Sequence, residues 1–359
     1  MVQELVKVHP EFRFNGIHFS ESELAEVAYS LIKEGEDFEI AIGDFILDWL
    51  SDSDEIAVKT SGSTGAPKNI YLKKQHMVNS AMATASFFEL KPGHTVLLCL
   101  PANYIAGKMM LVRAMILGLD IDCIRPESNP LAHTGKSYEF VAMVPLQLTN
   151  SLGQLNRVKK LLVGGAPLGD RIKEALDKEG TLVYESYGMT ETITHIALKK
   201  VNHNLPGTVA AFETLPGVKI SKDNRGCLVI EAPGISSSRV ITNDLVELTT
   251  ESSFQWLGRF DNVINSGGVK LIPEQIERKL KSILENRFFA YGVPDDKLGT
   301  KLVLFVEGET DVKKLMSDIK LLKTLSKYEV PKEILQLSVF EETPAGKLDR
   351  AKTAKLKTT

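Results

Sequence analysis

Cysteine is scarce: Cys99, Cys123 and Cys227 are the only three in 359 residues, far apart, odd in number and without a C-x-x-C pair. That spacing excludes a disulfide framework and a cysteine zinc site, and it fits a reducing, cytoplasmic setting. The seven histidines form no H-E-x-x-H or comparable ligand pair, so no structural metal is expected. No apolar run is long enough to cross a bilayer, and Met1–Phe14 lacks the apolar stretch of a signal peptide. An excess of one charge is missing too. With 43 Lys and Arg against 46 Asp and Glu, the net charge of -3 excludes a general electrostatic grip on nucleic acid. The one basic stretch, Lys347 to Lys357, reads by composition as a solvated end. Internal repeats and low-complexity segments are absent, and nothing indicates a particular oligomeric state.

What is present is the composition of an ordinary soluble protein, 43% hydrophobic and 25% charged, in a chain long enough for two domains. Short apolar strands alternate with amphipathic helices. Strands are expected at Ile56–Lys59, Val96–Leu100, Phe140–Val144, Lys160–Val163 and Leu182–Glu185, with helices at Lys74–Phe88 and Lys108–Gly118. That order predicts an α/β fold: a large N-terminal domain built on a helix-covered, mostly parallel sheet. From Val218 the pattern becomes β-rich, with Val218–Ser221 and Cys227–Glu231 flanking the turn Asp223-Asn224-Arg225-Gly226. A helix opens at Pro273, with Ile276, Leu280 and Ile283 on one face, followed by strands at Phe288–Gly292 and Leu302–Glu307 and a helix over Val312–Ser326. The expected division is therefore a large domain, residues 1–260, and a small α+β C-terminal domain, residues 261–359.

Thr60-Ser61-Gly62-Ser63-Thr64-Gly65-Ala66-Pro67-Lys68 follows a predicted strand. Its glycines let backbone N–H groups approach an anion, its hydroxyls add donors and its lysine adds a mobile charge, a combination suited to polyphosphate. It is not a Walker A loop, because Pro67 stands where that pattern needs Gly before Lys. Taken alone, a loop of small residues is more often a surface turn. The whole string, however, resembles the phosphate loop of the adenylate-forming superfamily of acyl-CoA synthetases, adenylation domains and luciferases.

Four more segments resemble that family's motifs in the same order. They are Tyr187-Gly188-Met189-Thr190-Glu191-Thr192; Thr242-Asn243-Asp244, with Asn243 in place of the usual Gly; Gly258-Arg259-Phe260-Asp261 running to Ser266-Gly267-Gly268; and Pro344-Ala345-Gly346-Lys347 with Arg350. The resemblance implies an ATP-dependent, AMP-forming enzyme that joins a small carboxylic acid to CoA through an acyl-adenylate. It implies that Thr60 to Lys68 and Tyr187 bind ATP, with the Tyr187 ring against adenine. Thr190 would meet the α-phosphate, while Glu191 and Thr64 would hold Mg²⁺. Asp244 would accept from the ribose hydroxyls, and Arg259 would reach ribose or phosphate. Lys347 is the expected catalytic lysine of adenylation, beside Thr190 and Glu191. Asp261 would be the hinge of a mobile small domain, and Ser266, Gly267 and Gly268 would pass the CoA arm.

For the acid, Leu100-Pro101-Ala102-Asn103-Tyr104-Ile105-Ala106-Gly107 with Arg113, and Val144-Pro145-Leu146-Gln147-Leu148, resemble segments of the short o-succinylbenzoate–CoA ligases of menaquinone biosynthesis. Tyr104 replaces the histidine common there. Tyr104, Arg113, Gly165 and His195 are thus expected around the acyl pocket. That acid has a second carboxylate which must be read and left unreacted, and a buried cation or several donors would serve. A snorkelling Arg113 and a core His195 are the plainer readings of those two residues. Another acyl- or aryl-CoA ligase, a stand-alone adenylation domain loading a carrier protein and a nucleotide-binding regulatory module remain alternatives. Retention of both Lys347 and Glu191 speaks against the last.

Overall fold

Successive residues of a strand point to opposite faces, so a strand that is apolar throughout must be covered on both sides. In the computed structural model, which describes residues 7–59, 69–205, 210–343 and 348–358, this is the arrangement found. The chain divides into two compact units, the first formed by Met1–Ile220, Ile230–Val240 and Leu248–Phe254 and the second by the remainder.

In the first unit, helices α1 (Glu21–Glu34) and α2 (Asp37–Leu50) precede the hairpin of β1 (Glu55–Lys59) and β2 (Asn69–Lys73), which flanks the phosphate-loop segment. Residues 60–68 of that segment lie outside the described residues. There follow α3 (Lys74–Phe88), β3 (Thr95–Leu98), α4 (Ile105–Leu117), β4 (Asp120–Cys123), β5 (Tyr138–Met143), α5 (Pro145–Ser151), β6 (Val158–Val163), α6 (Asp170–Leu176), β7 (Leu182–Gly188), β8 (His195–Lys200) and β9 (Phe212–Thr214). Seven strands of its sheet run in the order β9-β8-β7-β6-β5-β3-β4, followed beyond β4 by the two-residue strands Arg13–Phe14 and Ile17–His18, and the run from β7 to β4 is parallel throughout. Alternation assigns each side chain to a core. Val96, Leu98, Phe140 and Leu162 join Phe45, Trp49 and Phe88 on one face, while Leu97, Cys99, Val141 and Val163 pack with Leu148 and Leu176 on the other. Cys99, fully buried, donates to the Ala142 carbonyl, and burial pushes its thiol up to about 12, which leaves it unreactive. The three cysteines are free. Among the described residues no helix is long and apolar enough to cross a membrane.

Further along run β10 (Lys219–Lys222), β11 (Cys227–Glu231), β12 (Val240–Thr250), β13 (Ser253–Arg259) and the short hairpin β14 (Ile264–Ser266) and β15 (Val269–Leu271). The turn expected at Asp223–Gly226 is present: Asp223 Oδ1 accepts from the Arg225 and Cys227 amides at 2.8 and 3.0 Å. The second unit continues with α7 (Pro273–Leu280), β16 (Phe288–Asp295), β17 (Gly299–Glu307), α8 (Val312–Leu321), β18 (Glu333–Leu337) and α9 (Arg350–Thr358). Strand β17 is central, antiparallel to β16 and parallel to β18. Leu302, Leu304 and Val306 face α7 and α8 through Ile276, Leu280, Leu315 and Ile319, while Val303 and Phe305 face Phe289, Phe340 and Ala354 of α9. Helix α8 ends at Leu321, short of the expected Ser326, because Leu322 turns extended.

Arg350 of the C-terminal motif fastens α9 to α7. It makes a bidentate pair with Glu277 at 2.6 and 2.9 Å, and Glu277 also accepts from the Ala290 amide at 2.8 Å. Burial raises the Glu277 carboxyl even though Arg350 draws it down, so removing the arginine strands a desolvated charge. Arg350→Ala is expected to destabilise this unit by about 3 kcal/mol. Chemical denaturation would read the loss, together with faster hydrogen exchange at the Ala290 amide.

Candidate active site

The Thr190–Glu191 segment is set by a strained turn. At Gly188, where β7 ends, an added Cβ would stand 2.0 Å from the Thr194 carbonyl oxygen, so only glycine fits. The chain then returns on itself through Ile193, whose φ of 65° and ψ of -67° form a γ-turn closed by Thr194 N–H donating to the Thr192 carbonyl at 2.7 Å. A β-branched residue there stores roughly 1–3 kcal/mol of strain. Burial of Ile193 and the buried Thr192 hydroxyl, 3.0 Å from the Met189 carbonyl and 2.9 Å from that of Thr194, hold it in place. Thr190 is half-buried and Glu191 exposed on this turn.

The same turn aims Thr194 and His195 inward, beside a buried cation. Arg113, on α4, is 2% exposed. Its Nε donates to Thr84 Oγ1 at 3.2 Å, its Nη2 to Thr194 Oγ1 at 3.5 Å and its Nη1 to Met110 Sδ at 3.6 Å. Thr84 Oγ1 donates to the Ser80 carbonyl at 2.9 Å and lies 3.3 Å from His195 Nε2, while Ser80 Oγ and Thr194 Oγ1 are 3.1 Å apart. Among the described residues no carboxylate pairs with Arg113. Burial lowers its guanidinium to about 10, still charged at neutral pH. Burial, then the Arg113 charge, holds His195 well below the usual histidine range, so the imidazole is neutral. Arg113 and His195 thus both reach Thr84 Oγ1. Tyr104 does not join them: it is exposed at the N-cap of α4. Gly165 is exposed in the turn after β6, with φ of 94°.

Tyr187 is half-buried, its ring edge-on to Phe254 at 5.1 Å and tilted to Phe212 at 5.8 Å. Gln147, from the Val144–Leu148 segment, is buried and donates to the Cys99 and Glu127 carbonyls at 2.8 and 3.0 Å. That part of the signature is therefore explained by holding the end of β3.

The second unit gathers its own motif residues. Asp244, on β12, accepts from Trp256 Nε1 at 3.1 Å and lies 3.7 Å from Arg259 Nη1. Arg259 Nη2 donates to Asp261 at 3.1 Å. Asn243 lies in a regular strand, so the left-handed backbone that would suit glycine is not used. Its side chain bridges instead, accepting from Arg225 at 2.8 Å and donating to Asp261 at 3.3 Å. Gly267 and Gly268, with φ of 56° and 83°, form the two-residue loop between Ser266 and Val269, a turn that needs positive φ at both positions. Lys347, with residues 344–346, lies outside the described residues, as do Thr60 to Lys68.

Sequence reasoning missed Ser80, Thr84, Thr194, Arg225 and Trp256. For the first two a signal existed: hydroxyls four residues apart on one face of α3, between apolar neighbours.

The AMP-binding enzyme family matches residues 52–234. A 2-succinylbenzoate–CoA ligase of Staphylococcus aureus (strain JH9) is 27% identical over 320 residues, 82% of this chain and 65% of that protein. The chain thus spans just under two thirds of the length of the curated relatives it matches. The structure of o-succinylbenzoate coenzyme A synthetase from Bacillus subtilis, in complex with ATP and magnesium ion, shares the fold at 20% identity, with a TM-score of 0.74 over 94% of this chain and 82% of that one. An acyl-CoA synthetase (AMP-forming)/AMP-acid ligase II-like protein from Dyadobacter fermentans DSM 18053 is 38% identical, with a TM-score of 0.62 over 92% of this chain and 98% of that one. A family match over residues 52–234, with a 38% identical structure spanning nearly the whole of both chains, shows that the protein belongs to the AMP-binding enzyme family.

Proposed function

We propose that this protein is an AMP-forming acid–CoA ligase and that its acid is o-succinylbenzoate. The observation that carries the choice of acid is Arg113, a buried charge whose hydrogen bonds all go to neutral groups. Such a cation is costly until a carboxylate joins it, and a keto-dicarboxylate brings one to spare. The names of the S. aureus and B. subtilis relatives point to the same acid.

In the proposed reaction the aliphatic carboxylate attacks the α-phosphorus of ATP and pyrophosphate leaves. Tyr187 would lie against adenine, Asp244 and Arg259 would meet the ribose, and Thr190 and the Thr60–Lys68 loop would hold phosphates. Lys347 would stabilise the charge that spreads over the phosphate oxygens. Magnesium fits an incomplete protein shell. Glu191 offers a hard, exposed oxygen donor, while no group of three His, Cys, Asp or Glu among the described residues could hold a metal by itself. Thr64 and phosphate oxygens would complete the shell, and the bound ion would neutralise phosphate charge. In the second step the CoA thiolate attacks the acyl carbonyl and AMP leaves. Residues 261–359 would turn about Asp261 between the steps, exchanging Lys347 for the Ser266–Gly268 turn. Use of ATP and CoA as substrates supports a cytoplasmic setting for the proposed reaction.

The test is incubation with ATP, CoA and a panel of acids, reading nucleotides and thioesters by mass. AMP and the thioester of o-succinylbenzoate are expected as the dominant products. Stoichiometric ADP would overturn the reaction, and a preference for benzoate or a medium-chain fatty acid would overturn the acid. Lys347→Ala should slow adenylate formation roughly 10²-fold or more while sparing thioester formation from supplied acyl-adenylate. Equal loss in both half-reactions would contradict the assigned role.

A further inference from the structure

Thr84 Oγ1 is the junction of the buried polar cluster, and a hydroxyl has one proton and two lone pairs to spend there. A threonine inside a helix commonly donates to the carbonyl four residues back, and here Ser80 O lies 2.9 Å away. Both lone pairs are then free to accept. Arg113 Nε–H takes one at 3.2 Å, and His195 Nε2, at 3.3 Å, takes the other as a donor. The opposite tautomer would turn the hydroxyl proton from an oxygen at 2.9 Å onto a nitrogen at 3.3 Å, exchanging the shorter bond for the longer. Three hydrogen bonds form in the first arrangement and two in the second.

A second consequence concerns the arginine fork. Thr84 occupies Nε–H, which closes the side of the guanidinium that Nε shares with one Nη. What remains is the end formed by Nη1 and Nη2, whose partners are a thioether at 3.6 Å and a hydroxyl at 3.5 Å, the long limit of a hydrogen bond. Two parallel N–H groups weakly engaged match the two oxygens of a carboxylate.

We infer that Thr84 is a positioning residue for acid recognition: it fixes His195 as the Nε2–H tautomer and leaves only the Nη1–Nη2 end of Arg113 for the substrate's second carboxylate. This rests on the reading of Arg113 given above. The side chain of Thr84 is fully buried, so it acts through Arg113 and His195. Its place in the helix facing α4 sets the angle of the fork.

The substrate-independent arm is ¹⁵N NMR of the histidine rings, with His195 assigned by His195→Gln. A protonated Nε2 and a bare Nδ1 are expected at neutral pH. A protonated Nδ1 with bare Nε2, or an imidazolium, would overturn the inference. The kinetic arm compares o-succinylbenzoate with 4-oxo-4-phenylbutanoate, which lacks the aromatic carboxylate. Thr84→Val keeps the shape but removes the oxygen. It should raise KM for o-succinylbenzoate roughly tenfold or more, with the loss in KM rather than kcat, and Thr84→Ser should restore it. If Arg113→Met erases the preference for the dicarboxylate while Thr84→Val keeps it, the inference fails and the reading of Arg113 stands. If Arg113→Met itself leaves the preference intact, the reading of Arg113 fails and the proposed recognition role of Thr84 falls with it. A valine variant that unfolds is replaced by Thr84→Ala and Thr84→Ser. Equal KM values for that pair would overturn the role.

Discussion

A positive charge sealed inside apolar helices is the constraint around which the first unit is arranged. Taking a guanidinium out of water costs several kilocalories per mole even after relaxation, and the hydroxyls and thioether around Arg113 return only part of that. Its three partners come from three elements: Thr84 from α3, Met110 from α4 itself, and Thr194 from the turn leading into β8. The strained γ-turn at Ile193 has its purpose here, since it delivers Thr194 and His195 from the Thr190–Glu191 segment to the cation. One turn thereby carries a candidate phosphate-binding face outside and a candidate acid-reading face inside. Strain of this kind persists where surrounding structure over-determines it, and buried Ile193 and Thr192 do so.

The second unit shows the same economy nearer the surface, with Asp244 buried and Asp261 exposed. Asp244, Arg259 and Asp261 form one chain of ion pairs, and Asn243 enters it from the strand. A glycine at 243 would leave Asp261 tied to Arg259 alone. The exposed Arg259–Asp261 pair contributes little energy by itself, so its importance lies in fixing the position of a proposed pivot. Arg350 behaves differently: its pair with Glu277 is largely buried and anchors α9 immediately after residues 344–347.

Much of the fold was legible because apolar patterns answer to local geometry. Helix α3 occupies the expected Lys74–Phe88, and the expected strands at Val96–Leu100, Phe140–Val144 and Lys160–Val163 fall in parallel strands. Helices α1 and α2 were not read, although Ser20 and Glu23 form a capping box that marks the start of α1. Arg113 and His195 were singled out separately as candidates for the acyl pocket, and the structure shows that Thr84 joins them. The hydroxyl that does so, on Thr84, lies 29 residues from Arg113 and 111 from His195. The spacing of Ser80 and Thr84 marks one face of α3, but which partners they meet is decided only when α3, α4 and β8 pack together. Asn243 stood out as a departure, yet its two contacts depend on strands folded side by side rather than on its own backbone.

The most direct measurement is kcat/KM of the wild-type protein for o-succinylbenzoate against 4-oxo-4-phenylbutanoate under identical ATP and CoA. A carboxylate that reaches Arg113 contributes a charge-assisted hydrogen bond, so the dicarboxylate should be favoured by about 1.5–3 kcal/mol, roughly 10- to 150-fold. Equal values for the two acids would mean that the buried arginine reads no second carboxylate.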